Sequence, residues 1–256
     1  MTRAFIAAAL VWAASSAVAS AEQLTIALST PDVKIDSNFT GTGVTVFGVI
    51  QTNGPSVLSP GASYQVAVLV RGPGENVIAR RKERFLGVWA NSGSETFIAA
   101  PSFYAVSTSA PLGAFATPDE RRRLELGFNN IAFTYAQRTG PNDPAAADYR
   151  QAFLRLKGEA GLYTEQTGVS FIASNIFRAT VWIPANVPVG SYRVSAILFA
   201  NDAPIATATD WVTISKTGFE QYMFAISRRD ALLYGLATVI LALFTGWLAG
   251  VIFRRD

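Results

Sequence analysis

Residues 177–199 carry the pattern that decides the fold: Phe-Arg-Ala-Thr-Val-Trp-Ile-Pro-Ala-Asn-Val-Pro-Val-Gly-Ser-Tyr-Arg-Val-Ser-Ala-Ile-Leu-Phe. From Phe177 to Ile183 the side chains fall on two faces. One face carries Phe177, Ala179, Val181 and Ile183, and the other carries Arg178, Thr180 and Trp182. A turn containing proline and glycine follows, and a second strand-like run extends from Arg193 to Phe199. This period of two predicts half-buried β-strands joined by a turn.

The turn itself has the form Pro188-x-Gly190-x-Tyr192. After the second strand, Asn201-Asp202 marks a tight hairpin that returns the chain as Ile205 to Ser215. This pattern resembles the start of the penultimate strand in immunoglobulin-like β-sandwiches. It occurs in many extracellular sandwiches and therefore says nothing of function. We expect Tyr192 to form a hydrogen bond at the corner rather than to act in catalysis.

Short strands with turn signals also occupy the N-terminal half. Apolar and polar residues alternate from Leu24 to Leu28, whereas Val44 to Gln51 is almost wholly apolar and predicts a strand buried on both faces. Tyr64 to Val70 is a third strand, and a Gly-Pro-Gly turn precedes a fourth from Val77 to Phe85. This spacing is typical of a sandwich rather than of βαβ units. The predicted fold class is mainly β: an immunoglobulin-like β-sandwich over residues 22–216.

Residues 111–161 differ in character and predict a helical insertion. Thr117-Pro118-Asp119-Glu120 contains an N-cap, a proline at the first helical position and the partner of a capping box. On this helix we expect Asp119 to pair with Arg122 and Arg123, and Arg121 to pair with Glu125. That pairing favours a solvated helix face over a phosphate or lipid site.

A second helix of the insertion is predicted to begin at Asp143-Pro144 and to end at Gly158. Its apolar stripe would consist of Tyr149, Phe153 and Leu156. We expect this stripe to cover part of the β domain.

The two ends of the chain predict a membrane topology. Residues 1–21 have a short basic start, an apolar run and an Ala19-Ser20-Ala21 cleavage site, as in a signal peptide. Ala231 to Phe253 contains 23 residues and no charge, and as a helix it would measure roughly 34 Å, which is enough to span a bilayer. Residues 217–230 form a juxtamembrane segment, and residues 254–256 form a cytoplasmic tail. The chain between the two ends would lie outside the cytoplasm.

Composition excludes several classes of function. Residues 22–227 contain 16 Lys plus Arg and 16 Asp plus Glu, and this neutral balance argues against a nucleic-acid binder. The chain has no cysteine and no histidine, so it has neither a disulfide framework nor the usual nucleophilic triads. Thiolate and imidazole ligands for a metal are also missing. No phosphate-binding or nucleophile-elbow motif is present. We therefore expect no enzymatic activity, no cofactor and no metal.

Two groups of residues remain as candidate interaction sites. The first is a stripe of small residues spaced by four in the span, which would let another helix approach closely: Thr238, Ala242, Gly246 and Gly250. The second is a cationic run that could bind an anion or a small polar ligand: Arg80, Arg81, Lys82 and Arg84. The same run could instead protect a strand edge from pairing, and we favour that interpretation. A carboxylate-based hydrolase finds less support, since no spacing singles out a pair among Asp32, Asp36, Asp143 and Asp148.

A series of motifs follows in a specific order along the mature chain: Gly87 to Asn91, Pro101 to Ser109, Pro188 to Tyr192, Lys216 to Glu220, and Leu233 to Leu248. Their residues and order resemble the alphaproteobacterial transmembrane protein family Alph_Pro_TM. The resemblance implies a bacterial transmembrane protein, and together with the signal peptide and the single span it predicts an inner-membrane location, with most of the chain in the periplasm and a cytoplasmic C-terminus. It implies no activity and no site residues.

We therefore expect a non-catalytic accessory or interaction subunit of a membrane partner. An association of the family with neighbouring sulfite-exporter-type permeases suggests such a permease as the partner. Self-association through the span is the other expectation for the helix, and a periplasmic anion or small-ligand binding module is the alternative function.

Overall fold

The computed structural model describes residues 22–52, 58, 63–85, 87–136, 144–217 and 231–252. The predicted signal peptide, residues 218–230 of the juxtamembrane segment and the predicted tail lie outside these ranges. The described chain is mainly β, as the sequence predicts, with few helices. The strands are β1 (Gln23–Leu28), β2 (Asp32–Ile35), β3 (Gly41–Gln51), β4 (Gln65–Arg71), β5 (Gly74–Phe85), β6 (Val88–Pro101), β7 (Tyr104–Thr108), β8 (Thr134–Tyr135), β9 (Tyr163–Thr167), β10 (Val169–Ala173), β11 (Ile176–Pro184), β12 (Gly190–Ala200) and β13 (Ala203–Lys216). The α-helices are α1 (Pro118–Arg123), α2 (Pro144–Glu159) and α3 (Ala231–Ile252).

Two sheets form the centre of the domain. A four-stranded sheet has the order β1-β3-β11-β10, and a six-stranded sheet has the order β2-β13-β12-β4-β7-β9. Their strand pairs are antiparallel except β2 with β13 and β7 with β9, which are parallel. Both parallel pairs include an edge strand of the six-stranded sheet.

The facing sides of these sheets meet in one apolar core. A small cavity between the sheets is lined by Val44, Val46 and Val181 from the four-stranded sheet and by Val70, Val194 and Val212 from the other. β-branched residues suit such a layer because they pack well on a pleated surface. At Gly48 a Cβ atom would overlap the ring of Phe177, so glycine lets that buried ring cross the neighbouring strand.

The alternation predicted for β1 and β11 is present, whereas β12 alternates only as far as Ser195 and is buried from Ala196 to Ala200. The prediction for β3 is wrong. Its residues alternate between buried and accessible, with Val46 and Ile50 buried and Phe47 41% exposed. Only one side of β3 is covered by the second sheet. The apolar run of β3 thus correctly predicts a strand, but it does not show that one face of this strand is exposed to solvent.

The six-stranded sheet is covered on its other side by residues 110–131. Leu112, Phe115 and Leu126 of this segment are buried, and the Phe115 ring packs edge-on against Phe199 of β12 at 5.0 Å. Because it is covered from both sides, β7 is buried along its whole length. The helical segment therefore adds a third layer to the two sheets.

Helix α1 begins with the predicted capping box. The Glu120 amide donates to the Thr117 hydroxyl at 3.3 Å, and the Thr117 amide donates to the Glu120 carboxylate at 3.0 Å. Arg122 pairs with Asp119 as expected. The predicted pair of Arg121 and Glu125 is wrong: Glu125 lies beyond the helix in a left-handed conformation, φ 52°, and pairs with Arg71 of β4.

Helix α2 lies against β5 and β9 through only part of the predicted stripe. Phe153 is buried and Tyr149 packs at the core boundary, but Leu156 is 58% exposed, so its place in the stripe is wrong. Gly158 was also wrongly predicted to terminate this helix. The Leu162 amide donates to the Lys157 carbonyl and the Gly161 amide to the Gly158 carbonyl, which is a Schellman motif with Gly161 in the left-handed conformation, φ 69°.

Strands β5 and β6 form a long hairpin that, with β8, makes a separate three-stranded sheet. The sequence pattern predicts β5 but not β6. Its polar and small residues, such as Asn91, Ser92 and Gly93, lower its apparent strand propensity. The hairpin is joined to the core at Phe97, whose ring contacts Phe133, Tyr135 and Phe153 at 5.0–5.4 Å between centroids.

Helix α3 has 22 residues and no charged side chain. Its exposed large apolar residues are Leu232, Leu236, Val239, Ile240, Leu241, Leu243, Phe244, Trp247 and Leu248. Among the described residues, no helix was found that is long and apolar enough to cross a membrane. The predicted span therefore stays a prediction.

Candidate functional site

The hairpin separates the predicted cationic run into two faces. Arg80 pairs across the hairpin with Ser94, Lys82 with Asn91, and Arg84 with Trp89. The register shifts between Arg81 and Lys82, but the extra residue, Ser92, belongs to β6. Alternate residues of β5 therefore still point to the same face, so Arg80, Lys82 and Arg84 share one face, and all three are exposed. We call this surface the cationic face. Arg81 lies on the opposite face.

Arg81 is held by helix α2. Its guanidinium lies 2.7 Å from the Asp148 carboxylate and 5.3 Å from the centre of the Tyr149 ring. Both contacts join the hairpin to the helix, so Arg81 has a structural role. The four residues proposed from the sequence therefore do not form one anion site.

Strand β5 is also an edge strand of its sheet. Exposed cations on an edge strand discourage pairing with another chain. Its position is compatible with the edge-protection interpretation that we favoured from the sequence.

The stripe of small residues lies on α3. The Thr238 hydroxyl donates to the backbone carbonyls of Tyr234 and Gly235 at 3.1 and 2.8 Å, so its polar group is satisfied within the helix. Ala242 is exposed, and Cβ atoms added at Gly246 and Gly250 would meet no atom within 4 Å. The described part of the chain thus leaves this stripe open to a neighbour.

A network of ion pairs and tyrosines, which the sequence pattern does not predict, lies where the hairpin leaves the six-stranded sheet. Arg71 pairs with Glu125, and the mostly buried Lys157 pairs with Glu75. Lys157 also lies 5.7 Å from the centre of the Phe153 ring. These pairs join residues 54 and 82 positions apart, so local spacing carries no signal of them.

Two buried tyrosines complete this network. The Tyr104 hydroxyl donates to the Glu125 carbonyl at 2.6 Å and accepts from the Gly127 amide at 2.9 Å. The Tyr163 hydroxyl donates to the Pro101 carbonyl at 2.6 Å. Burial raises the pKa of both tyrosines and lowers the pKa of Arg71. The tyrosines stay protonated at neutral pH and fasten loops, which is a structural task rather than acid-base chemistry.

Tyr192 has the role expected from its sequence motif. Its hydroxyl donates to the carbonyl of Pro188, just upstream of β12. Burial raises its pKa to about 12. Tyr192 is therefore a corner hydrogen-bond donor.

An open groove of about 690 Å³ lies near the ends of β3 and β4 and beside β10. Its described lining includes Tyr64, Gln65, Ser109, Phe171 and Asn175. None of the described lining residues carries a charge, so the groove does not suit an anion. It offers hydroxyl and amide groups to a neutral ligand instead.

The carboxylates considered from the sequence are not brought together. Asp32 lies in β2, Asp36 accepts from the Asn38 amide at 3.0 Å, and Asp148 pairs with Arg81. Asp143 lies outside the described residues. Within the described ranges there is also no group of three acidic side chains placed to hold a metal ion.

These features define a class: a mainly β domain with a helical cover, followed in the chain by an uncharged helix whose apolar residues are exposed. The comparison with known families agrees with the resemblance seen in the sequence. The chain belongs to the family described as "Putative transmembrane protein (Alph_Pro_TM)", whose family model matches residues 23–255. No curated protein matches the chain.

Proposed function

We propose that this protein is a single-pass inner-membrane protein whose β domain lies in the periplasm and serves as a non-catalytic accessory or interaction subunit of a membrane partner. The observation that carries this proposal is α3, an uncharged helix of 22 residues with exposed large apolar side chains. Such a surface is costly in water and suits lipid.

Length and composition support α3 as a span, although no membrane-crossing helix was found among the described residues. A helix of 22 residues measures roughly 33 Å, close to the thickness of a hydrocarbon core. The family is also described as a transmembrane one, and its match extends through this helix. The signal peptide proposed for residues 1–21 would place the β domain on the periplasmic side.

The strand order supports an immunoglobulin-like sandwich. Immunoglobulin letters can be assigned in chain order if β2 and the strands of the small sheet (β5, β6 and β8) are left aside. The letters A, B, C, C′, C″, D, E, F and G then fall on β1, β3, β4, β7, β9, β10, β11, β12 and β13. The four-stranded sheet has the order A-B-E-D, and the six-stranded sheet has the order G-F-C-C′-C″ with β2 beside G. This is the variable-type arrangement. The hairpin is inserted between C and C′, and the helical segment between C′ and C″. The long second insertion allows β9 to pair parallel to β7.

A non-catalytic role is supported by the use of the buried polar groups. Tyr104, Tyr163 and Tyr192 bind backbone carbonyls, while Lys157 and Arg71 have carboxylate partners. Each of these groups holds one part of the domain to another. A general acid or base would need a perturbed group facing a cleft.

The partner would be another membrane protein that packs on the stripe of Thr238, Ala242, Gly246 and Gly250. Small residues let two helix backbones approach closely in lipid. A sulfite-exporter-type permease is our first candidate, on the basis of the family association, and self-association through α3 is the alternative.

Fractionation combined with proteolysis tests the topology. The full chain should stay in the membrane after salt and carbonate washes, and protease added to spheroplasts should degrade the β domain. A matched variant with Leu241→Arg and Leu243→Arg should leave the membrane, because each arginine at the centre of a span costs about 2.5–3.5 kcal/mol. Protection of the domain in spheroplasts would contradict the orientation, and retention of the double variant would contradict the span.

An anion-binding module is the second candidate function. It is less favoured because Arg81 is held by Asp148 and the groove of about 690 Å³ has no charged described lining residue. Calorimetry with sulfate and sulfite tests it directly. Stoichiometric binding that is lost in Arg80→Gln and retained in Arg123→Gln would favour this candidate over the first.

A further inference from the structure

We propose that the β5–β6 hairpin is a second membrane contact, which docks its cationic face and its exposed apolar tip on anionic phospholipid headgroups. This inference rests on the proposed function, since the anchor would bring the domain to the bilayer. It adds a surface, a ligand class and a set of residues that the proposed function does not include.

The hairpin sorts its charges between its faces. Arg80, Lys82 and Arg84 are exposed on one face, and the residues opposite them on β6 are Ser94, Asn91 and Trp89. None of the three cations forms an ion pair within the described part of the chain. The cationic face therefore keeps its full charge for an outside anion.

The acidic residues of the hairpin lie elsewhere. Glu75 pairs with Lys157, and Glu95 is 3% exposed. Glu83 alternates to the face opposite the cations and pairs across the hairpin with Ala90. Protection of a strand edge requires charge, but it does not require the charges to be sorted in this way.

The tip next to these cations is apolar. Val88 is 69% exposed and Trp89 is 68% exposed, and Trp89 lies directly opposite Arg84. Ile78, also exposed, belongs to the same face as Arg80. Tryptophan prefers the boundary between headgroups and hydrocarbon, and nearby Lys and Arg are attracted to anionic lipid. An apolar tip bordered by cations thus fits an anionic bilayer surface better than it fits a free inorganic anion.

The base of the hairpin lies at the end of the domain from which the chain continues towards α3. Pro73, just before β5, lies against Gly190: a Cβ atom on that glycine would be 2.9 Å from the Pro73 Cγ. Gly190 in turn pairs with Ile214, two residues before the end of β13. The hairpin measures roughly 36 Å along β5, from Gly74 to Phe85. Its origin near the exit of the chain and its length make contact with the bilayer feasible.

The absence of cysteine allows a direct test on the full chain. Val88→Cys labelled with a fluorophore reports the tip, and Ala203→Cys reports the exposed turn between β12 and β13, at the opposite end of that strand pair. Both variants are placed in nanodiscs of phosphatidylcholine, with or without phosphatidylglycerol, that contain lipids with a nitroxide quencher on the headgroup. We expect quenching at residue 88 in the anionic nanodiscs, little quenching there in pure phosphatidylcholine, and none at residue 203.

Charge variants then test the cationic face. Each cation near an anionic bilayer contributes about 1 kcal/mol, which corresponds to about a fivefold change in the ratio of docked to undocked hairpin tips. The triple variant Arg80→Gln, Lys82→Gln and Arg84→Gln should therefore lower this ratio about a hundredfold. The matched variant Arg123→Gln, Arg155→Gln and Arg178→Gln removes the same charge from other exposed positions and should keep the quenching. High salt should also reduce it, because at 1 M the screening length is about 3 Å.

The possible failures are distinct. A chain that stays out of the nanodiscs contradicts the anchor and this inference with it. A chain inserted in anionic nanodiscs with an unquenched tip contradicts this inference alone, and would point to an acidic protein surface as the ligand of the hairpin. Equal quenching with and without phosphatidylglycerol contradicts the role of the cations.

Discussion

Truncation of Phe153 offers the sharpest test of how the helical cover is attached. Phe153 is 4% exposed, and its ring lies 5.0 Å from Phe97, 5.4 Å from Phe133 and 5.8 Å from Tyr163 between centroids. It therefore joins α2 to the hairpin and to β9 in one cluster. We expect Phe153→Ala to destabilise the domain by about 3–5 kcal/mol, since it removes a buried ring and its edge contacts. That is a large part of the about 5–15 kcal/mol that usually separates folded from unfolded domains.

The assay is urea unfolding of the full chain in mild detergent, with near-ultraviolet circular dichroism as the signal that reports unfolding. With a slope of about 1–3 kcal/mol per molar urea, the midpoint should fall by roughly 1–5 M. Leu156→Ala is the matched control on the same helix, because Leu156 is largely exposed; its change should stay within about 0.5 kcal/mol. Equal losses of stability in the two variants would mean that the Phe153 cluster does not attach α2 to the domain, and that Leu156 belongs to the buried stripe after all.

Three further predictions follow from single contacts. In thermal unfolding, Gly158→Ala should stabilise the domain by about 0.5–1 kcal/mol, whereas Gly161→Ala should destabilise it by a similar amount. Neither added Cβ atom would meet another atom, but of these two glycines only Gly161 has a positive φ. The reverse order would contradict the Schellman assignment. Tyr192→Phe should cost about 1 kcal/mol at pH 7. Burial raises the pKa of Tyr192 from 10.0 to about 12 in the folded state. The stabilisation that comes from keeping this hydroxyl protonated is complete below pH 10 and is lost as the pH rises through about 12, so Tyr192→Phe should lose less stability than the unmutated protein over that range. An equal loss in both proteins would exclude this linkage. Gly246→Ile with Gly250→Ile should weaken co-purification with a helix partner by about 1–2 kcal/mol, whereas Leu236→Ile with Leu243→Ile should leave it intact; equal behaviour would reduce α3 to an anchor.

Several candidate surfaces were visible in the sequence only as residue types. The cationic run was recognised, but its division between Arg81 and the other three cations depends on strand alternation and on the position of Asp148. The groove and the network of Arg71, Glu125, Tyr104 and Tyr163 had no sequence signal. Their members come from distant segments, and only the fold brings those segments together.

The sequence by itself determined the mainly β character, the capping box of α1 and the corner role of Tyr192. Each of these depends on a few neighbouring residues: side-chain alternation, an N-cap with its partner three positions later, or a hydroxyl close to an upstream carbonyl. The absence of histidine and cysteine is likewise a property of composition and needs no structure.

The tertiary structure decided which side of each element is buried. β3 and α2 both have apolar residues beyond the face that is covered, so Phe47 and Leu156 looked like core residues and are exposed. β7 is buried on both faces because residues 110–131 cover it, and β6 was missed because its polar residues pair with β5 rather than pack in the core. Burial depends on what lies opposite a residue in space, and pairing across long loops is not encoded in local periodicity.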